Sequence, residues 1–319
     1  MNTEETLFPS GARMAIAGGV TWSILAVAAA LNVFPFSIFE LLFLLAPWVV
    51  VPLSLSLVPR TSSSGLFRIT VTLVRYLIFP GAILTTASFL LPAGRVAGAL
   101  VSLWLIVCMA LALDGLDRFI RTRLGSFQEF CFAVGEGYAL VGTMWLLASR
   151  LGMQPMGFYE PIVLLTAIHF HYAGLMAAIL AGLVACWMRT SLALRITLSC
   201  AALGPGLLGL AFLAGPKLKL AAVGVMVIGE CGIAIGTFRI GLAEAGSIGG
   251  RLLLAGGACV IFGMALAAIW AAGEYPLHAF VNLEQMARYH GVLNSIGFGL
   301  CSLVGWTLLR QSTSALRQA

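Results

Sequence analysis

The sequence predicts an all-α, polytopic integral membrane helix bundle of about ten transmembrane helices, with both termini in the cytoplasm. Of 319 residues, 61% are hydrophobic and only 9% are charged, whereas soluble domains carry roughly 25% charged residues. Apolar runs of about 20 residues recur along the whole chain, the length needed to cross the hydrocarbon core as a helix. They lack the period-2 alternation of a membrane strand. Backbone groups in lipid have no water to bond, so of the two spanning architectures, helix and closed barrel, the helix is selected.

In chain order, residues 1–13 (MNTEETLFPSGAR) are polar, with Glu4 and Glu5 ahead of Arg13. A cleavable signal opens on basic residues, so this stretch is expected to be a cytoplasmic N-terminal segment leading into a retained helix. Ten apolar segments follow at 14–34, 37–58, 69–91, 97–116, 128–149, 162–188, 191–215, 219–242, 251–273 and 285–309. Together they predict one transmembrane domain over 14–309, and 310–319 reads as a cytoplasmic tail. With the amino terminus inside, the inner side collects twelve arginines: Arg13, Arg60, Arg68, Arg118, Arg121, Arg123, Arg189, Arg195, Arg239, Arg251, Arg310 and Arg317. The outer side has Arg95, Arg150, Lys217, Lys219 and Arg288, and Arg75 lies deeper in a helix. That asymmetry is the positive-inside signature, and it sets both termini on the cytoplasmic side.

Several function classes fall away. The net charge of +6 comes from basic residues scattered singly between apolar runs, which excludes a nucleic-acid-binding stretch. The seven cysteines form no C-x-x-C pair and lie mostly inside apolar runs, as packing residues do. There is no Walker loop, G-x-S-x-G, H-E-x-x-H or dinucleotide fingerprint. The chain therefore has no ATP-binding motif, and no motif points to an enzyme; the lipid bilayer is its expected partner.

What remains is a set of polar groups inside the helices. A charged side chain at the centre of a membrane helix costs about 2.5–3.5 kcal/mol on insertion scales, so each is a functional candidate. Glu40, His169, His171, Glu284, His290 and Asn294 fall in the outer half of the second, sixth and tenth segments. Glu136 and Glu230 lie deeper, with Arg75 and Arg239 as candidate ion-pair partners. These eight residues are the candidate substrate or proton site. His169 and His171, at 100° per residue, point about 200° apart and so serve opposite faces of a regular helix. His290 and Asn294 are four apart and share a face.

These residues carry two resemblances. F-E-L-L-F-L-L-A-P-W-V-V-V-P-L (39–53), H-F-H-Y-A-G (169–174) and H-G-V-L-N-S-I-G-F (290–298) resemble three segments of the YndJ-type bacterial multipass membrane proteins. That resemblance implies a multipass location in the bacterial cytoplasmic (inner) membrane and a helical fold, together with a transporter label. His169-Phe170-His171-Tyr172 is also similar to the H-F-H-Y tetrad of the haem–copper oxidase catalytic subunit, where the two histidines hold two haem irons. The adjacent His pair and His-x-x-x-Tyr of the copper site are missing here, so an ordinary terminal oxidase is excluded. Three readings stay open. The first is a small-solute transporter, proton-coupled through its His and Glu residues. The second is a redox or sensor protein with haem or copper held by His169, His171 and His290. The third is a non-catalytic membrane scaffold.

Overall fold

The computed structural model describes residues 8, 10–59, 65–122, 125–189, 191–274 and 282–318. Among the described residues, ten helices are long and apolar enough to cross a membrane. We number them α1 (Gly11–Ala30), α2 (Ile38–Leu57), α3 (Gly65–Phe89), α4 (Arg95–Thr122), α5 (Phe127–Leu151), α6 (Ile162–Trp187), α7 (Leu192–Ala214), α8 (Pro216–Ala243), α9 (Ile248–Glu274) and α10 (Leu283–Ser312). The last continues as helix to Gln318. They correspond one for one to the ten apolar segments. The main difference lies in α4, which runs past the predicted end at residue 116 and carries Asp117, Arg118 and Arg121 as helical residues.

The chain divides into two compact units. The first takes in the described residues up to Gly125 together with Phe132–Leu175; the second takes in Ser126–Cys131 and the described residues from Met176 on.

In the first unit α2 is the most buried helix, with 78% of its apolar window enclosed. Its sequence breaks its own backbone ladder. Pro47 and Pro52 lack the N–H that would bond the carbonyls four residues earlier. The helix answers with a π-helical turn over Ala46–Val50 and a shortened bond from the Ala46 N–H to the Phe43 carbonyl. Side chains from neighbouring helices satisfy carbonyls beside this break. Trp22 Nε1 on α1 donates to the Leu41 carbonyl at 2.8 Å. The Tyr172 hydroxyl on α6 donates to the Leu42 carbonyl, also at 2.8 Å. Helix α1 lies against the same break, because Gly18 has no Cβ to collide with the carbonyl of Trp48, the residue whose helical donor would have been Pro52. On the far side, Trp48 Nε1 donates to Thr86 Oγ1 on α3 at 3.0 Å.

The second unit packs α7, α8 and α9 side by side in chain order, with α10 against α9. The buried stripe of α8 (Met226, Gly229, Gly232, Ile233, Gly236, Ile240) is rich in small residues, which lets helices approach where no hydrophobic force drives them together in lipid.

Two further π-helical turns occur, over Phe170–Met176 in α6 and Leu293–Leu300 in α10. All three π turns thus coincide with the three sequence segments singled out above. Such turns are often found at functional sites.

Removing the Tyr172 hydroxyl leaves the Leu42 carbonyl buried without its donor. We expect Tyr172→Phe to cost about 1–3 kcal/mol, read as a lowered melting temperature in detergent, while Tyr76→Phe on the exposed face of α3 leaves the melt unchanged.

Candidate functional site

The first unit holds two polar constellations, and the sequence motifs mark only one of them. Around α6, His171 is fully buried and both ring nitrogens are engaged. Nδ1 donates to the Ala167 carbonyl one turn earlier at 2.8 Å. That leaves Nε2 as acceptor for the Trp104 indole N–H at 3.3 Å. The pair of bonds selects the neutral Nδ1–H tautomer. The ring stacks at 23° on Trp104 and meets the edge of Phe43 at 5.1 Å. Gly142 on α5 completes the enclosure, since a Cβ there would lie 2.6 Å from Nδ1. His169 ends the α-helical part of the span, is half-buried and packs edge-on against Phe170. Because the π turn begins at Phe170, the 100° spacing assumed for the two histidines does not continue through His171.

The acidic groups near the helix ends make local contacts. Glu40 completes a capping box, its Oε2 accepting from the Ser37 N–H at 2.6 Å while Ser37 Oγ accepts from the Glu40 N–H. Glu160, just ahead of α6, accepts from the Leu164 N–H at 3.1 Å. Glu284 pairs with Arg288 at 3.5 Å on the exposed surface of α10, an arrangement that contributes little in solvent. Arg150, assigned by sequence to an outer loop, is buried instead. It donates to the Ser88 and Leu91 carbonyls at 3.0 and 2.7 Å, capping the end of α3, with its guanidinium over the Phe89 ring.

The second constellation sits at the Thr122 end of α4. Arg118 is 1% exposed and faces two buried carboxylates. Its Nη2 lies 3.6 Å from Asp114 Oδ2 on the same helix, and its Nε lies 3.5 Å from Glu136 Oε2 on α5. The guanidinium also donates to the Pro59 carbonyl at 3.4 Å and stands 5.9 Å from the Phe132 ring centre. The sequence picked out Glu136 but looked to Arg75 or Arg239 for its partner. Arg75 is exposed on α3, and the residue that meets Glu136 is Arg118. The missed signal was the i, i+4 spacing of Asp114 and Arg118, which puts them on one helix face. It was obscured because the apolar run ends at 116 and Arg118 looked like a loop charge.

In the second unit, His290 Nδ1 lies 2.8 Å from the Gly263 carbonyl on α9, and Asn294 Nδ2 donates to the His290 carbonyl at 2.9 Å. This joins α10 to α9 just before the π turn. Glu230 on α8 is 3% exposed, and its Oε2 has no hydrogen-bond partner among the described residues. Thr237, two turns on along nearly the same face, is likewise buried with no partner for its hydroxyl.

With both ring nitrogens engaged, His171 offers none to an iron or copper. Among the described residues, no group of three or more His, Cys, Asp or Glu is placed to hold a metal ion.

Ten apolar helices with ionisable groups buried in their interior define a multipass membrane protein. The model of the YndJ-like protein family matches residues 41–298, so the chain belongs to that family. A relative is the uncharacterized membrane protein YndJ of Bacillus subtilis (strain 168), 26% identical over 213 residues. That match covers 66% of this chain and 38% of the relative, so the chain spans well under half of the relative's length. No solved structure matches.

Truncating Arg118 removes the guanidinium that faces two buried carboxylates. Arg118→Met alone is expected to destabilise the protein by about 3–5 kcal/mol, and the triple change with Asp114→Leu and Glu136→Leu to recover most of that. Thermal melts of the purified variants in one detergent check both. Equal losses in the two variants would mean that the guanidinium is not balancing those carboxylates.

Proposed function

We propose that this protein is a proton-coupled carrier of small solutes in a bacterial cytoplasmic membrane. The observation that supports the reading best is the buried Asp114–Arg118–Glu136 cluster. Two buried carboxylates face one guanidinium. In a low-dielectric interior each acid is costly to keep ionised, so a proton can be held between the two. The proton can sit on either acid, and each position gives a different packing. With Glu136 protonated, Arg118 pairs with Asp114 on its own helix, and the tie between α4 and α5 is loosened. With Asp114 protonated, Arg118 pairs with Glu136, and the two helices are drawn together. A proton thus biases a two-state helix contact, which is what coupling requires. Glu230 on α8 supplies a second buried acid of the same kind.

In this reading the twelve-to-five distribution of basic residues sets both termini in the cytoplasm. It puts the Arg118 cluster toward the cytoplasmic side and His171 toward the outside. His171, Trp104 and Tyr172 then serve as the rigid frame against which α4 and α5 move. The redox reading has less support, because His171 already has two partners and His290 is tied through Nδ1. The scaffold reading accounts for the packed histidines but gives no reason to bury Asp114, Arg118, Glu136 and Glu230.

The test is reconstitution. In proteoliposomes with an imposed pH gradient, a panel of labelled small solutes is offered and proton movement is followed with an entrapped pH-sensitive dye. We expect one class of solute to move with protons, and Glu136→Gln to cut the coupled flux by at least about tenfold while the protein remains folded. Solute movement indifferent to the pH gradient in both wild type and Glu136→Gln would remove the coupling role. No solute or proton movement at all would leave the scaffold reading in place.

A further inference from the structure

The outward face of α3 carries two arginines that the cluster at Arg118 does not use. The helix buries Phe67, Thr70, Val74 and Ile78, spaced three and four apart. On the opposite side Arg68, Thr72 and Arg75 are all exposed. At 100° per residue these three fall within about 60° of one another, so they form one stripe. A shallow, open groove of about 440 Å³ borders its Arg68 end, lined by Arg68, Ile69, Thr72 and Leu73. Neither guanidinium has a carboxylate within ion-pair distance among the described residues. Arg75 rests 5.8 Å from the ring of its neighbour Tyr76, which is itself 66% exposed. The Thr72 hydroxyl is turned back to the Arg68 carbonyl at 2.8 Å.

A face that is exposed on a membrane-spanning helix meets lipid, and two cations with no carboxylate partner among the described residues attract an anion. Arg68 is the fourth residue of α3, at the level where headgroups begin. Arg75 lies about 10 Å further along the axis, within reach of that level for a long side chain that extends toward the interface. Tyr76 is the aromatic residue that belongs at such a boundary. Ile69 and Leu73 supply apolar walls beside the cations, as an acyl chain would require.

We propose that the Arg68–Thr72–Arg75 stripe is a binding site for the phosphate of an anionic phospholipid, whose acyl chain lies in the groove along Ile69 and Leu73. The planar guanidinium forks suit a phosphodiester, which they can grip by two parallel bonds each. Free inorganic phosphate lacks the chain that fills the apolar half of the groove and binds far more weakly.

The test uses the full-length chain purified in a neutral detergent. Melting temperature is measured with added phosphatidylglycerol, phosphatidylcholine or inorganic phosphate, and retained lipid is counted by native mass spectrometry. We expect phosphatidylglycerol to raise the melting temperature by about 3 °C or more, with the other two without effect. In the Arg68→Gln/Arg75→Gln double variant most of that shift and one bound lipid should disappear. Arg68→Lys/Arg75→Lys should keep part of the shift, and Arg251→Gln on α9 should keep all of it. An equal response to phosphatidylcholine, or an unchanged shift and lipid count in the double variant, overturns the proposal. So does a wild-type dimer that dissociates in the double variant, because the face would then be covered by a second copy. If the Gln variant does not fold, the Lys variant decides, since loss of all lipid preference with charge retained is incompatible with a headgroup site.

Discussion

The first unit depends on how a proline-broken helix is satisfied where no water can reach it. Helix α2 is the most enclosed span, and Pro47 and Pro52 each remove a donor from its ladder. In lipid an unsatisfied carbonyl costs several kcal/mol. The surrounding structure is arranged to avoid that penalty. Trp22, Tyr172 and the backbone shortcut from Ala46 each take a carbonyl next to the break, and Gly18 lets α1 close over the carbonyl that Pro52 leaves without a helical donor. Helices α1 and α6 are thereby fixed around α2 by directional bonds rather than by apolar contact, which discriminates little between helices when the solvent is itself apolar.

The same frame accounts for the H-F-H-Y segment. Tyr172 reaches α2, and His171, one residue before it, is held between Trp104, Phe43 and the Ala167 carbonyl. Each polar atom of these two side chains has one partner, and the aromatic rings fill the space between. His171 and Tyr172 thus form an aromatic and hydrogen-bonded joint. The carboxylates differ in their surroundings. Asp114 and Glu136 face one arginine in a buried setting, whereas Glu40, Glu160 and Glu284 have ordinary work at helix ends or on the surface.

How far this was legible varied with the kind of residue. The ten helices and the depth of Glu136 and Glu230 followed from hydropathy, because burying a polar backbone or a charge in lipid carries a penalty large enough to write itself into local sequence. Arg118 was misread because a helix that extends beyond its apolar run has no local marker for where it ends. Arg150 was misread for the related reason that a long cationic side chain at a helix end can turn inward to cap a neighbour. The two histidines looked alike in sequence. Only the onset of the π turn at Phe170, and the indole of Trp104 sixty-seven residues away, separates a half-buried ring from a fully engaged one.

By itself, then, the sequence determined the class of protein, the ten helices long and apolar enough to span a membrane, and the burial of Glu136 and Glu230. These are decided by transfer of each segment between water and lipid, a property of local composition. Tertiary structure alone decided that Arg118 is the partner of Glu136, that His171 has no nitrogen to spare, and that α2's broken carbonyls are taken by Trp22 and Tyr172. These are pairings between residues far apart in the chain, and hydropathy is blind to which polar group meets which.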